Sequence, residues 1–319
     1  MLRHWSKILA RRYSSYPSNT GNVKSKTIAD LYAKYNAQQP ITMVTAYDFV
    51  TASWAQNAGC DAVLVGDSLA TSALGYDSTN QIGLDEFRYH VQAVCRAPGP
   101  AFVLVDMPFG SFESSIQQGI ETAIGFMKSS VRVGAVKIEV GSPVGASQKD
   151  DYSLQLAAEL CSRGIPVIGH IGLTPQRAHS LSGFKVQGSK SAKEAVAIYH
   201  TAQQLQNIGC FSVLLECVPH KVSSYITQKL SVPTIGIGAG LGVSGQVLVQ
   251  SDILGMTPQA VPKLAHKYGD LNSESISSIK HYVDDVTNHQ FPDNSRNGFK
   301  IKDEIWAEFL ERVNAVPMK

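Results

Sequence analysis

"DAVLVGDS", residues 61–68, decides how the chain is read. Four apolar residues, Ala62 to Val65, run straight into Gly66, Asp67 and Ser68. A run this short and this rich in valine reads as a strand buried on both faces, the pattern of a parallel sheet covered by helices. Yet it stops at a carboxylate. The same ending recurs at "AFVLVDMPF" (101–109), "AVKIEVG" (135–141) and "FSVLLECVP" (211–219).

Working outward, strands alternate with helices from residue 41. "ITMVTAYD" is a strand and "FVTASWAQNAG" a helix. "LDEFRYHVQAVCRA" has apolar residues at helical spacing, and "SIQQGIETAIGFMKSSVRVG" reads as a helix closing on glycine. "DYSLQLAAELCSRG", "SAKEAVAIYHTAQQLQNIG" and "HKVSSYITQKL" are further helices. "PVIGHIG", "VPTIGIGAG" and "QVLVQSDIL" supply the remaining strands. Glycines at helix ends suit the left-handed cap that turns a helix back toward a strand. Eight strands alternating with helices predict a (β/α)8 barrel of the TIM type. The rival is an open doubly wound sheet. The even strand count, and the lack of G-x-G-x-x-G after the first strand, favour the barrel.

The chain has 319 residues, 44% of them hydrophobic, enough for one large barrel. Charged residues are 17% and net charge is +2, with no basic stripe interleaved with aromatics, so nucleic acid is not an expected partner. No apolar run is long enough to span a bilayer, and no membrane partner is expected. Cys60, Cys95, Cys161, Cys210 and Cys217 are scattered, with no C-x-x-C pair, and read as reduced residues. The barrel is expected over 25–290, with a helical extension over 291–319. No acid precedes Asp30, whereas Arg3, Lys7, Arg11, Arg12, Lys24 and Lys26 do. Arg-rich, Ser-rich and acid-poor is the profile of a mitochondrial transit peptide, here assigned to residues 1–20, with processing near "RRYSS" (11–15) and residence in the matrix.

In a (β/α)8 barrel, side chains at the C-terminal strand ends converge on one mouth. The sequence puts Asp48, Asp67, Asp106, Glu139, His170 and Glu216 there. One strand-end acid is usually a helix cap or a loop salt bridge. Several around one mouth repel each other and resist desolvation, and a cation relieves both costs. Oxygen ligands without a Cys/His cluster suit a hard ion such as Mg2+.

"VTAYD" (44–48), "LVGDSL" (64–69), "DMPF" (106–109), "VKIE" (136–139), "GHIGLTPQ" (169–176), "FKVQG" (184–188), "LLECVP" (214–219) and "IGIGAG" (235–240) together resemble, in order and spacing, the motifs of the ketopantoate hydroxymethyltransferase family. The resemblance implies a barrel of the phosphoenolpyruvate/pyruvate superfamily and a homo-oligomer, with decamers common. It implies transfer of a one-carbon unit from 5,10-methylenetetrahydrofolate to 3-methyl-2-oxobutanoate, giving 2-dehydropantoate on the route to pantothenate. By position, Asp67, Asp106 and Glu139 would serve a divalent metal, with substrate at Asp67, Ser68, Asp106 and Lys137, and Glu216 as general base. His170 would orient substrate or a loop by hydrogen bonding, with direct proton transfer as the alternative. Departures fall at Ala70, Tyr76 and Val140, all in segments at the mouth. "GIGAG" reads as tight packing and not as a phosphate loop, and Lys185 as an exposed loop lysine. A superfamily lyase lacks its lid cysteine here, since none lies between Cys95 and Cys161. A catalytically retired scaffold would have lost one of the acids, and all are present.

Overall fold

The computed structural model describes residues 24–142, 151–181, 183 and 185–315. The transit-peptide assignment lies outside them. The described residues form eight parallel strands, β1 (Ile41–Thr45), β2 (Ala62–Val65), β3 (Phe102–Asp106), β4 (Val133–Glu139), β5 (Val167–Gly172), β6 (Ser212–Glu216), β7 (Thr234–Ile237) and β8 (Gly245–Leu248). They pair in sequence order, and β1 closes on β8 through Ile41↔Gly245 to Val44↔Leu248, which rules out the open sheet.

Helices return the chain between most strands. They are α1 (Ile28–Asn36), α2 (Phe49–Asn57), the short α3 (Leu69–Ser72), α4 (Leu84–Cys95), α5 (Ile116–Ser129), α6 (Asp151–Ser162), the short α7 (Ala178–Leu181), α8 (Ala192–Asn207), α9 (His220–Lys229) and the short α10 (Gln250–Leu254). The helix α1 ahead of the first strand was not read from the sequence. The caps follow expectation after α2, α6 and α8, where Gly59, Gly164 and Gly209 take positive φ. After α5 they do not: the helix stops at Ser129, and Gly134 lies inside β4. A Cβ at Gly134 would stand 2.2 Å from the Phe102 ring, so this glycine serves strand packing and not a cap.

Period 2 along each strand sorts the core into two layers. Outward-facing Val63, Val65, Val103, Val105, Val136, Ile138 and Leu215 pack against the helices. Inward-facing Ile41, Met43, Ala62, Leu64, Phe102, Leu104, Ala135, Ile168, Leu214 and Ile235 fill the barrel. The same period carries the inward columns upward: Phe102 and Leu104 lead to Asp106, Ala135 to Lys137 and Glu139, Ile168 to His170, and Leu214 to Glu216. Polar groups therefore cap columns that are apolar below, and a one-residue register slip would turn every one of them outward.

Residues 270–319 form a separate compact unit. Its helices α11 (Leu271–Thr287) and α12 (Asp303–Asn314) bury no residue, and Trp306 stacks on Phe309.

Candidate active site

Register brings the polar column tops side by side. Asp106 pairs across the sheet with Lys137, Glu139 with His170, and Gly172 with Glu216. Lys137 Nζ lies 2.8 Å from Asp106 Oδ1 and 3.2 Å from His170 Nδ1. An ammonium only donates, so His170 Nδ1 accepts and the imidazole proton sits on Nε2. That Nε2 is 3.2 Å from Glu216 Oε2. Its N–H is not aimed squarely at the oxygen, so the contact is close without being a formed hydrogen bond. Glu139 Oε1 is 3.6 Å from His170 Nδ1.

Asp67 sits just past β2. Its backbone N–H donates to Asp106 Oδ2 at 3.0 Å. Ser68 follows at the start of α3, half-buried, with no capping bond from its side chain. Asp67, Asp106, Lys137, Glu139 and His170 are all buried, and Glu216 is the most open of the group.

Three buried carboxylates, Asp67, Asp106 and Glu139, thus share one ammonium. Burial, then the nearby Asp106 charge, pushes the Asp67 carboxyl up to about 7. Burial, then Asp67, lifts Glu139 well above the carboxylate range. Burial works against the Lys137 charge, but Asp106, Asp67 and Glu139 outweigh it and hold the ammonium above its ordinary range. Burial and Lys137 hold His170 below the usual imidazole value, in agreement with a neutral ring.

Among the described residues no three His, Cys, Asp or Glu side chains converge tightly enough to hold an ion by themselves. The donor set still fits a small hard cation. Magnesium is commonly held by one or two carboxylates, with water and substrate oxygens completing its shell. Asp106 Oδ1 is buried without a hydrogen bond, facing only the lysine. The excess of buried carboxylate is what a cation would neutralise.

The other strand-end acid is elsewhere employed. Asp48 accepts from Thr51 N and Thr51 Oγ1, each at 2.7 Å, and so caps α2. It is a structural residue and leaves the mouth to the acids of β2, β3, β4 and β6. Lys185 is exposed. Gly240 takes φ +81° and a Cβ there would stand 2.5 Å from the Cβ of His220, as tight packing requires. Tyr76 donates to Glu86 Oε2 at 3.0 Å. One residue of the mouth was missed: Gln176, buried in the turn after β5. It ends the quoted "GHIGLTPQ", but nothing in that string tells a loop glutamine from a buried donor.

A closed parallel barrel with acids at the carboxyl ends of its strands belongs to a known structural class. The crystal structure of phosphonopyruvate hydrolase in complex with oxalate and Mg++ matches with a TM-score of 0.55 at 11% identity, covering 91% of this chain and 98% of that one. That of 2,3-dimethylmalate lyase, a PEP mutase/isocitrate lyase superfamily member, matches at 0.51 with 15% identity, covering 90% and 94%. These likenesses define the fold.

Within that class the chain belongs to the ketopantoate hydroxymethyltransferase family, whose model matches residues 25–294. It is 52% identical over 305 residues to the 3-methyl-2-oxobutanoate hydroxymethyltransferase of Saccharomyces cerevisiae, covering 96% of both chains. It is 41% identical to that of Carboxydothermus hydrogenoformans, covering 90% of this chain and 98% of the bacterial one.

Proposed function

We propose that the chain is a 3-methyl-2-oxobutanoate hydroxymethyltransferase that takes its one-carbon unit from 5,10-methylenetetrahydrofolate and depends on a divalent cation, Mg2+ first. The observation that carries this is the convergence of Asp67, Asp106, Lys137, Glu139, His170 and Glu216 on one mouth. Family membership at this level of identity supports it.

Asp67 and Asp106 would hold the ion, with Glu139 beside them. When bound, it supplies Lewis-acid stabilisation of the charge that develops on the keto oxygen. Lys137 and Ser68 hold the substrate carboxylate. Glu216 removes the C3 proton, standing on a different wall from Asp67 and Asp106. Neutral His170, tied to Lys137 through Nδ1, packs its Nε2 edge against Glu216 and would limit where that carboxylate can move. With Nδ1 held by Lys137 and Nε2 only 3.2 Å from Glu216, orientation of the base is the role we assign it, ahead of direct proton transfer. The carbon exposed at C3 then forms the new C–C bond to the one-carbon unit. One water is consumed overall as tetrahydrofolate leaves.

Enolisation needs no folate, so it isolates the base. In D2O with magnesium, the protein should exchange the C3 hydrogen of 3-methyl-2-oxobutanoate for deuterium. Glu216→Gln should still bind the keto acid but exchange about 10²- to 10⁴-fold more slowly. Exchange at the wild-type rate would assign the base to another group, with His170 next.

We also propose a mitochondrial matrix location, on the acid-free N-terminus, and a homo-oligomer, on the family resemblance. Deleting residues 1–20 should leave activity intact and strand the protein in the cytosol, read by fractionation. Sedimentation at working concentration should give a mass well above that of one chain.

A further inference from the structure

Gln176 is bonded to two acids of the mouth and to the backbone of a third strand end, yet has been assigned no role there. It sits in the 3-10 turn Pro175–Arg177 after β5. Its side-chain Nε2 donates to Asp67 Oδ2 at 2.7 Å and to the Met107 carbonyl at 2.9 Å. Its backbone N–H donates to Glu139 Oε2 at 3.0 Å. Its own carbonyl accepts from Asn80 Nδ2 at 2.9 Å, from the turn Thr79–Gln81 that follows α3. One buried residue thus ties together the ends of β2, β3 and β4.

The chemistry of these bonds is selective. Both amide hydrogens of the side chain are used, one on a carboxylate and one on a backbone carbonyl. A lysine or arginine could donate to Asp67 equally well, but it would bring a second positive charge and weaken the field that attracts a cation. Glutamine orients the acid and leaves its charge unspent. One oxygen of Asp67 and one of Glu139 are fixed in this way, which sets where the other oxygen of each carboxylate points. Groups that hydrogen-bond metal-binding carboxylates orient them, and their loss commonly weakens metal binding about 10- to 100-fold.

We infer that Gln176 is a positioning residue that aims Asp67 and Glu139 at a divalent cation, and that Asn80 holds Gln176 in place. This rests on the reading that those acids serve an ion. Gln176→Met keeps length and shape and removes both donors, while the backbone bond to Glu139 survives. Asn80→Ala releases the Gln176 carbonyl and, beyond that, only a long 3.4 Å bond from the neighbouring Thr79 hydroxyl.

The test is calorimetric titration of the full-length protein with MgCl2 alone, beside the magnesium dependence of turnover. Gln176→Met should bind magnesium about 10- to 100-fold more weakly, and its half-saturating magnesium for turnover should rise by the same factor. Excess magnesium should then restore much of the rate, which a purely structural defect would not allow. Asn80→Ala should weaken magnesium by a smaller factor, and it serves as the test if Gln176→Met does not fold. Magnesium affinity within about two-fold of wild type, in Gln176→Met or in its substitute, overturns the inference and leaves the metal reading standing. A wild-type protein that binds no magnesium overturns the metal reading, and this inference with it.

Discussion

The strand that opens the reading begins and ends with a buried aspartate, and the two could hardly be treated more differently. Asp61, 3% exposed, lies at the bottom of the barrel. Lys26 Nζ lies 2.7 Å from its Oδ1 and Lys34 Nζ 2.5 Å from its Oδ2. Thr42 adds its backbone N–H at 2.9 Å and its hydroxyl at 3.0 Å. Burial pushes this carboxyl up, but the two lysines and Thr42 outweigh it and hold it at about 2. Asp67, 4% exposed, lies at the top, six residues on. Its partners are one neutral amide and a lysine shared with two other acids, and its carboxyl is pushed up to about 7. Exposure to solvent is equal, but Asp67 lies deeper among protein atoms, so depth and the supply of partners together separate a fastening from a reactive centre. The bottom acid is satisfied by the chain itself. The top acids are left in want of something the chain does not provide.

The largest test of that contrast is at the top. Asp106→Asn removes a carboxylate from the mouth. It should cost at least about 10² in turnover, since Lewis-acid stabilisation is worth several kcal/mol, and it should weaken magnesium binding. The barrel should remain folded by circular dichroism. Unchanged magnesium affinity would take Asp106 out of the metal set.

At the bottom the effects reverse. Asp61→Asn leaves two lysines facing a neutral amide and should cost about 2 kcal/mol in urea denaturation, less than for a fully buried pair because both ammonium groups are partly exposed. Turnover of the folded fraction should not change. A loss of turnover without loss of stability would break the division between the two ends.

Titration should separate the two ends in opposite directions. Asp67 has a raised folded pKa, so in chelator it makes folding less favourable as pH rises from about 4 through about 7, and Glu139, also raised, acts in the same direction. The groups facing them are Asp106, Lys137, His170 and Glu216, and magnesium should recover the lost stability most above pH 7. Asp61 has a depressed folded pKa. Its contribution is full above the unfolded value of 3.8 and is lost as pH falls through about 2. Melting temperature against pH in EDTA should therefore decline on both sides, with Asp67→Asn flattening the alkaline limb and Asp61→Asn the acid limb. The smallest effect is expected for Lys34→Met, which removes one of the two lysines from Asp61 and should cost about 0.5–1 kcal/mol.

The barrel was legible because its signal is repeated: strands apolar on both faces, at regular spacing, between amphipathic helices. Asp106, Glu139 and Glu216 were legible because each ends an apolar column and the same logic selects them all. Asp48 satisfied that rule and still failed it. Its carboxylate turns back onto Thr51, and a strand-end acid that caps a helix has the same local sequence as one that does not. Gln176 could not be found by that rule, since one of its bonds is made by backbone and its partners lie on three other strand ends. The close approach of His170 to Lys137 and Glu216 likewise depends on register between strands, which no single segment carries. The helix α1 was passed over because its fastening, Lys26 and Lys34 on Asp61, reaches across to β2.

That fastening also sets a limit on how far the N-terminus can be trimmed. Lys26 carries one of the two cations on Asp61, and its backbone N–H is bonded to the Pro100 carbonyl at 2.6 Å. A cut at residues 11–15 would leave this clasp untouched. A cut after Lys26 would strip half the positive charge from a buried acid and free the chain ahead of α1. Any trimming that leaves the fold intact is thus bounded from inside it, by the charge balance at the foot of its second strand.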